Sequence, residues 1–258
     1  MPSQLVVLGS CGAWPEPGRA CSGFVLEHDG FRVVIDLGYG TLSRLLGLVN
    51  SHVGAGIDAV IITHKHPDHM LDLHGLFRAR TFGDREAGPL PLYAPDGVVQ
   101  RLQAVEDFDR EAILEVFGWR VLPSEDPYEL GPWSLRSWPL PHFVPNVGVR
   151  LATDGLTVAY TGDTGPDPCL VDLAREADLL IAEATDRRQR PGAPPANPGP
   201  GMHLTAREAG EAAQAAGARR LLLTHFWPGK NRESARTEAT EVFDGEVLLA
   251  DEELRISL

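Results

Sequence analysis

Short apolar runs alternate with amphipathic stretches along the whole chain, and this alternation predicts a mixed protein of strands and helices. Apolar runs bounded by turn residues predict strands over residues 5–9, 24–27, 31–35, 59–62, 90–94, 121–122, 133–138, 147–151, 157–161, 179–182 and 220–223. Apolar positions at helical spacing predict helices over residues 41–49, 68–80, 97–105, 109–117, 170–176 and 205–216. Buried strands of this kind favour two sheets packed together with helices outside, an α/β (α+β) architecture.

The helix over residues 205–216 carries start and stop signals in its sequence. Thr205 is a predicted N-cap, and Glu208 is placed to complete a capping box with it. Gly217 follows the helix where a C′ glycine would stand.

The segments 59–64 and 220–225 resemble each other, because each runs from an apolar strand into the pair Thr-His. This likeness predicts two related halves that present the same chemistry at strand ends. No segment resembles an interdomain linker, so we expect one domain over residues 1–258. Residues 187–201 are rich in Pro and Gly and predict a loop that serves as a lid or pocket wall.

The amino-acid composition and net charge of the chain limit the kinds of molecule that it is expected to bind. The chain of 258 residues is 43% hydrophobic and carries 36 acidic against 23 basic residues, for a net charge of −13. The negative electrostatic field of such a charge disfavours binding of a long nucleic acid. The basic cluster at 187–190 is interpreted as a solvated loop. No segment approaches the roughly 20 apolar residues that span a bilayer, and residues 1–9 lack the features of a signal peptide. With three scattered cysteines and no CxxC pair, we expect a cytoplasmic protein without disulfides.

The densest chemistry follows the apolar strand 59–62. His64, His66, Asp68 and His69 fall within six residues, and a solvated loop has no folding reason to crowd histidines in this way. Imidazole nitrogen and carboxylate oxygen are the usual ligands of zinc and its neighbours. His64 and His66 would point to the same side of an extended segment. The cluster therefore predicts a metal site, with Asp68 and His69 available to a second ion.

Three further candidate ligands, His142, Asp163 and His225, stand just after or between predicted strands. With the HxHxDH motif at 64–69, they make the chain resemble a metallo-β-lactamase-fold hydrolase over nearly its whole length. The resemblance implies a four-layer αββα sandwich with a dinuclear metal site at the edge of the two sheets. It assigns the ligands as follows: His64, His66 and His142 to one ion, Asp68, His69 and His225 to the other, Asp163 as the bridge between them, and Asp36 as a structural anchor below.

This ligand set of five His and two Asp favours two divalent ions, with zinc preferred and manganese or iron left open. A pair of ions about 3.5–4 Å apart can hold a shared hydroxide at neutral pH and clamp an oxyanion. Asp68 then counts among the catalytic residues as well as the ligands. No Ser or Cys nucleophile is needed.

Within that superfamily the chain is most similar to ribonuclease Z-like phosphodiesterases, including related cyclic-nucleotide phosphodiesterases. Three stretches carry this likeness: residues 8–15 with Arg19, residues 179–185, and residues 203–206. The resemblance implies that Glu183 holds His203 charged and oriented, and that His203 stabilises or protonates the phosphate and the leaving oxygen. Arg19 could contact a substrate phosphate. Trp14 and Trp227 could stack a nucleobase or simply pack at the rim.

One departure from the ribonuclease Z pattern points to a small substrate. Only 20 residues separate His142 from Asp163, which leaves no room for the protruding arm that binds transfer RNA. We therefore expect a small phosphodiester substrate, with a cyclic nucleotide as the best single guess, and a chain that could form a homodimer. The alternatives are an acyl hydrolase acting on a lactone, thioester or β-lactam, and a ribonuclease Z-like RNA endonuclease without the arm. A diiron oxygen reductase, which usually has Glu in place of His66, and a non-catalytic binding module are less favoured.

Overall fold

The computed structural model describes residues 3–83, 88–105, 109–185 and 201–258. In chain order its elements are β1 (Gln4–Gly9), β2 (Gly23–His28), β3 (Phe31–Leu37), α1 (Thr41–Val49), β4 (Ala59–Ile61), α2 (Pro67–Met70), α3 (Asp72–Gly83), β5 (Leu90–Pro95), α4 (Val98–Gln103), α5 (Arg110–Val116), β6 (Phe117–Leu122), β7 (Tyr128–Leu130), β8 (Trp133–Leu140), β9 (Asn146–Thr153), β10 (Leu156–Tyr160), α6 (Cys169–Ala174), β11 (Leu179–Glu183), α7 (Ala206–Ala216), β12 (Arg220–Thr224), α8 (Arg232–Thr240), β13 (Glu246–Leu249) and β14 (Arg255–Ser257).

The strands form two sheets of seven, in the orders β14-β1-β2-β3-β4-β5-β6 and β13-β12-β11-β10-β9-β8-β7. The strands from β14 to β3 in the first sheet and from β7 to β10 in the second pair antiparallel. Each sheet then continues with parallel pairings to its other edge. The two sheets therefore share one topology, in agreement with the predicted pair of related halves.

Matching the two sheets strand by strand corrects one detail of that prediction. The pairing changes from antiparallel to parallel at β3 in the first sheet and at β10 in the second. The counterpart of β4 is therefore β11, because β4 pairs in parallel with β3 and β11 pairs in parallel with β10. The sequence likeness between residues 59–64 and 220–225 instead relates β4 to β12, which is one strand further along. Both segments deliver a histidine at a strand end, but they do not occupy equivalent positions.

Three apolar cores separate four layers. One core lies between the sheets and combines side chains of both, such as Phe24, Trp133 and Tyr160. A second lies between the first sheet and helices that include α1 and α3. A third lies between the second sheet and helices that include α6 and α7. This is the predicted αββα sandwich, in which each sheet buries both faces.

Most predicted elements are confirmed to within a few residues, and α1 matches its prediction at both ends. The α7 helix also has the predicted ends, since Thr205 and Glu208 form a capping box and Gly217 is left-handed at φ 68°. The helix predicted over 68–80 is divided at Leu71, where His74 N–H donates to the Leu71 carbonyl three residues back and tightens the turn.

The helix α8 was not predicted, and the other errors lie at sheet edges. Residue 117 begins β6 rather than ending a helix, and the short strands β7, β13 and β14 were not predicted. All four stand at or beside the outer edges of the two sheets, where one side of the strand lacks a neighbour and the apolar pattern is short. The loop predicted over 187–201 lies outside the described residues except for Gly201. Among the helices that the structure describes, none is both long and apolar enough to cross a bilayer.

Candidate metal centre

Asp36 fixes the loop that follows β4. It lies in the left-handed region at φ 58° and is fully buried. Its Oδ1 accepts the backbone N–H of Thr63 at 2.8 Å, and its Oδ2 accepts Nδ1–H of His69 at 2.7 Å and the hydroxyl of Tyr160 at 3.0 Å. Asp36 thus ties both ends of the histidine loop to β10 of the second sheet, as expected for a structural anchor.

We call His64, His66 and His142 the first subsite. His66 Nδ1 lies 3.1 Å from His64 Nε2 and 3.0 Å from His142 Nε2. The carboxylate Oδ2 of Asp163 lies 3.9 Å from His64 Nε2 and 3.8 Å from His142 Nε2. Residues that follow three strands, β4 of the first sheet and β8 and β10 of the second, therefore converge on one point, with their ligand atoms within 4.8 Å of one another.

We call Asp68, His69 and His225 the second subsite. His225 Nε2 lies 3.2 Å from Asp68 Oδ2 and 3.2 Å from Asp163 Oδ2. His69 Nε2 lies 3.2 Å from Asp163 Oδ1. Asp163 faces both subsites, which is the position expected of the bridging carboxylate. The structure therefore brings together all seven residues predicted as ligands.

The backbone of residues 12–13 holds the second subsite in place. Ala13 N–H donates to Asp68 Oδ2 at 2.7 Å. A Cβ at Gly12 would lie 2.7 Å from the His225 ring, so only glycine permits this close approach. The Gly-rich opening of the chain thus packs directly against two candidate ligands.

The rings of four histidines are oriented through Nδ1. His69 donates to Asp36, as above, and His142 donates to the Met202 carbonyl at 2.9 Å. The Thr63 hydroxyl donates its hydrogen to Asp36 and accepts a hydrogen bond from His64 Nδ1 at 3.1 Å. Thr185 accepts from His225 at 2.9 Å. Nε2 of each ring is thereby turned toward the centre, the arrangement that outer hydrogen bonds impose on metal-ligating histidines.

The chemistry of these residues fits bound cations. Unprotonated nitrogens at about 3 Å repel one another unless a proton or an ion lies between them, and the first subsite places three such rings together. In the second subsite His69 Nε2 and Asp163 Oδ1 are buried, and neither makes a hydrogen bond of good geometry. Buried polar atoms without such partners are rare in folded proteins. Nitrogen and carboxylate donors together suit zinc and similar divalent metals.

The two subsites differ in the pKa of their histidines. Burial lowers the pKa of His64 and His66 and takes that of His142 to about 4. Burial acts in the same direction on His69 and His225, but nearby carboxylates, Asp163 foremost, outweigh it and raise the pKa of both rings. The second subsite therefore binds protons when no cation neutralises its carboxylates.

Glu183 and His203 form a pair beside the two subsites. His203 Nδ1–H donates to Glu183 Oε2 at 2.8 Å, and Glu183 Oε1 accepts the Thr164 N–H at 2.6 Å. Burial favours a neutral His203, but the hydrogen bond and charge of Glu183 prevail and raise the pKa of His203 to about 9. His203 Nδ1 also lies 3.8 Å from Asp163 Oδ2, so the charged ring stands at the centre.

Thr185 is a further residue at the candidate site that the sequence analysis did not single out. Its buried hydroxyl donates to Glu183 Oε2 at 2.6 Å while accepting from His225 Nδ1. It thereby joins the second subsite to the Glu183–His203 pair. The only available signal was its place in Glu183-Ala184-Thr185 at the end of β11.

Arg19 does not support the substrate role predicted for it. Its guanidinium forms ion pairs with Asp251 at 3.0 Å, Glu16 at 3.7 Å and Glu252 at 3.8 Å. These contacts hold the opening loop against the C-terminal segment. Because its charge is already neutralised there, we do not propose a phosphate contact for Arg19.

A four-layer αββα sandwich with His and Asp clusters at the edge of both sheets defines a metallo-hydrolase. The model of the Beta-lactamase superfamily domain matches residues 31–226, and the chain belongs to that superfamily.

Relatives and solved structures agree with this assignment. The chain is 34% identical to the protein ML1173 of Mycobacterium leprae, over 95% of this chain and 84% of that one. It is 32% identical to ribonuclease Z of Kineococcus radiotolerans, over 87% of this chain and 83% of that one. The crystal structure of the metallo-beta-lactamase fold protein YhfI from Bacillus subtilis superposes with a TM-score of 0.84 at 28% identity, covering 100% of this chain and 99% of that one.

Proposed function

We propose that the protein is a phosphodiesterase that uses two divalent cations, zinc being favoured, on a small substrate such as a cyclic nucleotide. The observation that carries this proposal is the pair Glu183–His203, held at 2.8 Å beside both subsites. A charged imidazole at that position suits a phosphate, because it can neutralise a phosphoryl oxygen and then give a proton to the leaving oxygen.

In this proposal His64, His66 and His142 would hold one cation, and Asp68, His69 and His225 would hold the other, with the carboxylate of Asp163 available to both. The ions would supply an activated water at neutral pH and charge stabilisation of the phosphate. Glu183 keeps His203 protonated and commits its Nδ1, which leaves Nε2–H as the donor to substrate. Thr185 orients both Glu183 and His225.

The relatives named ribonuclease Z support a phosphodiester substrate and raise RNA as a second candidate. Two observations favour the small substrate. The span between His142 and Asp163 is filled by β9 and β10, which are joined by only residues 154–155. The net charge of −13 opposes a long polyanion.

Hydrolysis assays on one metal-reconstituted preparation test the proposal. Bis-p-nitrophenyl phosphate, a cyclic nucleotide, a precursor transfer RNA, a lactone and a thioester are compared after chelation and again after adding zinc or manganese. We expect metal-restored turnover of the phosphodiesters, with the cyclic nucleotide preferred to RNA. Turnover of the lactone or thioester alone would replace the proposal with an acyl hydrolase. A lack of metal-restored turnover on every substrate would indicate a binding module.

A further inference from the structure

Among the described residues, six large apolar residues are exposed, and three of them adjoin the candidate metal centre. Within the described part of the chain the exposed large apolar residues are Trp14, Phe82, Val105, Val121, Phe143 and Trp227. Trp14 follows Ala13, whose amide binds Asp68, Phe143 follows His142, and Trp227 stands two residues after His225. We call Trp14, Phe143 and Trp227 the aromatic rim.

The two tryptophans of the rim contact each other beside the second subsite. Their ring centroids are 5.8 Å apart at an angle of 58°, yet 47% of Trp14 and 37% of Trp227 stays exposed. Both backbones are fixed: Gly12 N–H donates to the Phe226 carbonyl, and Phe226 N–H donates to the Ser10 carbonyl. The pair is therefore a rigid, partly uncovered aromatic surface whose distance from the candidate ligands is set by the fold.

Phe143 lies beside the first subsite. Its ring contacts the His142 ring at a centroid distance of 5.2 Å and the His203 ring at 5.9 Å, while 68% of the residue is exposed. An exposed phenylalanine against the proposed acid is hard to explain by folding, since exposure forgoes the stabilisation that burial of such a side chain provides.

We propose that the aromatic rim binds a nucleobase of the substrate, so that the substrates are nucleotide phosphodiesters recognised by stacking. The inference rests on the proposed phosphodiesterase function. A base joined through its sugar to a phosphate at the centre is within reach of rings adjoining the candidate ligands. Stacking accepts every base, because each has a π-face, and it needs no positive field. It therefore suits a protein with a net charge of −13.

Two phosphodiesters with the same leaving group isolate this contact. Thymidine 5′-(p-nitrophenyl phosphate) and methyl p-nitrophenyl phosphate both release p-nitrophenolate, but only the first carries a base. We expect wild type to favour the thymidine ester in kcat/KM. Trp227→Ala should reduce that preference by roughly 5- to 150-fold, the range for loss of base stacking, with little change on the methyl ester.

Matched variants separate stacking from general damage. Trp227→Phe keeps a ring and should retain most of the preference, and Phe82→Ala removes an exposed ring outside the rim and should retain all of it. Trp14→Ala and Phe143→Ala show which side of the centre receives the base. The inference is overturned if none of the three rim variants changes the preference, or if each lowers kcat/KM for both esters equally.

A binding measurement keeps this inference distinct from the proposed function. Calorimetric titration with thymidine 5′-monophosphate should show binding to wild type, and Trp227→Ala should weaken this binding without any turnover being needed. If wild type hydrolyses neither ester but the binding measured by calorimetry depends on Trp227, the phosphodiesterase proposal fails while the base site stands. If rim variants instead turn a dimer into a monomer and leave nucleotide binding intact, the rim is a self-association surface and the inference is wrong.

Discussion

The two subsites of the metal centre share Asp163 but are built from different surroundings. In the first subsite His66 is half-buried while the side chain of His142 is buried, and the Nδ1 partners of His64 and His142 are a hydroxyl and a backbone carbonyl. In the second subsite every residue is buried, and it includes the carboxylate of Asp68 and rests on that of Asp36.

The difference is one of charge. The first subsite offers neutral imidazoles, while the second offers negative charge that protons or a cation must balance. We therefore expect a metal ion to exchange more readily from the first subsite, which is the more exposed. The second subsite should attract a cation strongly, but protons should compete with the cation for its ligands. The predictions below test that asymmetry.

His66→Ala should break the first subsite alone. We expect the bound metal to fall from two ions to one, because the ligands of the second subsite remain. Activity should fall by about 10⁴-fold or more, since a catalytic ion contributes several kcal/mol of transition-state stabilisation. Metal content by elemental analysis and initial rates check this. The exposed His52→Ala is the control, and loss of both ions from His66→Ala would show that the subsites are not independent.

His203→Ala should leave both subsites loaded and remove the proton donor. The ring is not among the predicted ligands of either subsite, although it packs against the His142 ring at a centroid distance of 5.1 Å and stacks on the His225 ring at 5.7 Å. We expect a turnover loss of roughly 10²–10⁴-fold, the usual contribution of a general acid. Metal content should stay at the wild-type value. Activity equal to wild type would remove His203 from the mechanism.

Thr185→Val should weaken the second subsite through its outer hydrogen bond. The variant removes the hydroxyl between His225 and Glu183 at nearly constant volume. We expect the affinity of that subsite to fall by roughly 10–100-fold, as for other outer-shell changes at metal sites. Thr185→Ser keeps the hydroxyl and should bind metal nearly as wild type does in chelator competition. Equal affinities in the Val and Ser variants would assign Thr185 a packing role only.

Thr185 also shows where sequence reasoning stops. The histidine loop could be predicted, because its ligands lie within six residues and have few other uses. A threonine carries no such signature, and its role depends on the register of β11 against β12, which pairs Glu183 with Thr224 and so brings Thr185 beside His225. No local pattern contains that register.

The ion pairs of Arg19 could not be predicted for the same physical reason. The sequence places a cation near a Gly-rich opening, but its partners Asp251 and Glu252 lie more than 200 residues away. The strands inside each sheet could be predicted from their apolar runs. The edge strands β13 and β14 are partly exposed, and their apolar patterns are too short to predict a strand. Tertiary neighbours decide both cases, and a single sequence does not give them.

Proton release on metal binding should distinguish the subsites directly. The pKa of His142 is about 4, so its ring is already neutral above about pH 5 and gives up no proton to an ion. His69 and His225 have raised pKa values, so their rings keep protons to a higher pH than an ordinary histidine does, and an ion must displace these protons. Affinity of the second subsite should then rise with pH, about tenfold per unit for each proton released, until the pH passes those raised pKa values.

Calorimetric titration in two buffers of different ionisation enthalpy counts the protons. His142→Ala leaves only the second subsite intact and should release protons when an ion binds at pH 7, because the pKa values of His69 and His225 are raised. His225→Ala leaves only the first subsite intact and should release close to none. Because both variants keep Asp163, a difference between them arises from Asp68, Asp36 and their histidines rather than from the shared bridge. Equal proton release from the two variants would mean that the carboxylates do not set the charge of the second subsite, and the asymmetry between the subsites would then be one of exposure alone.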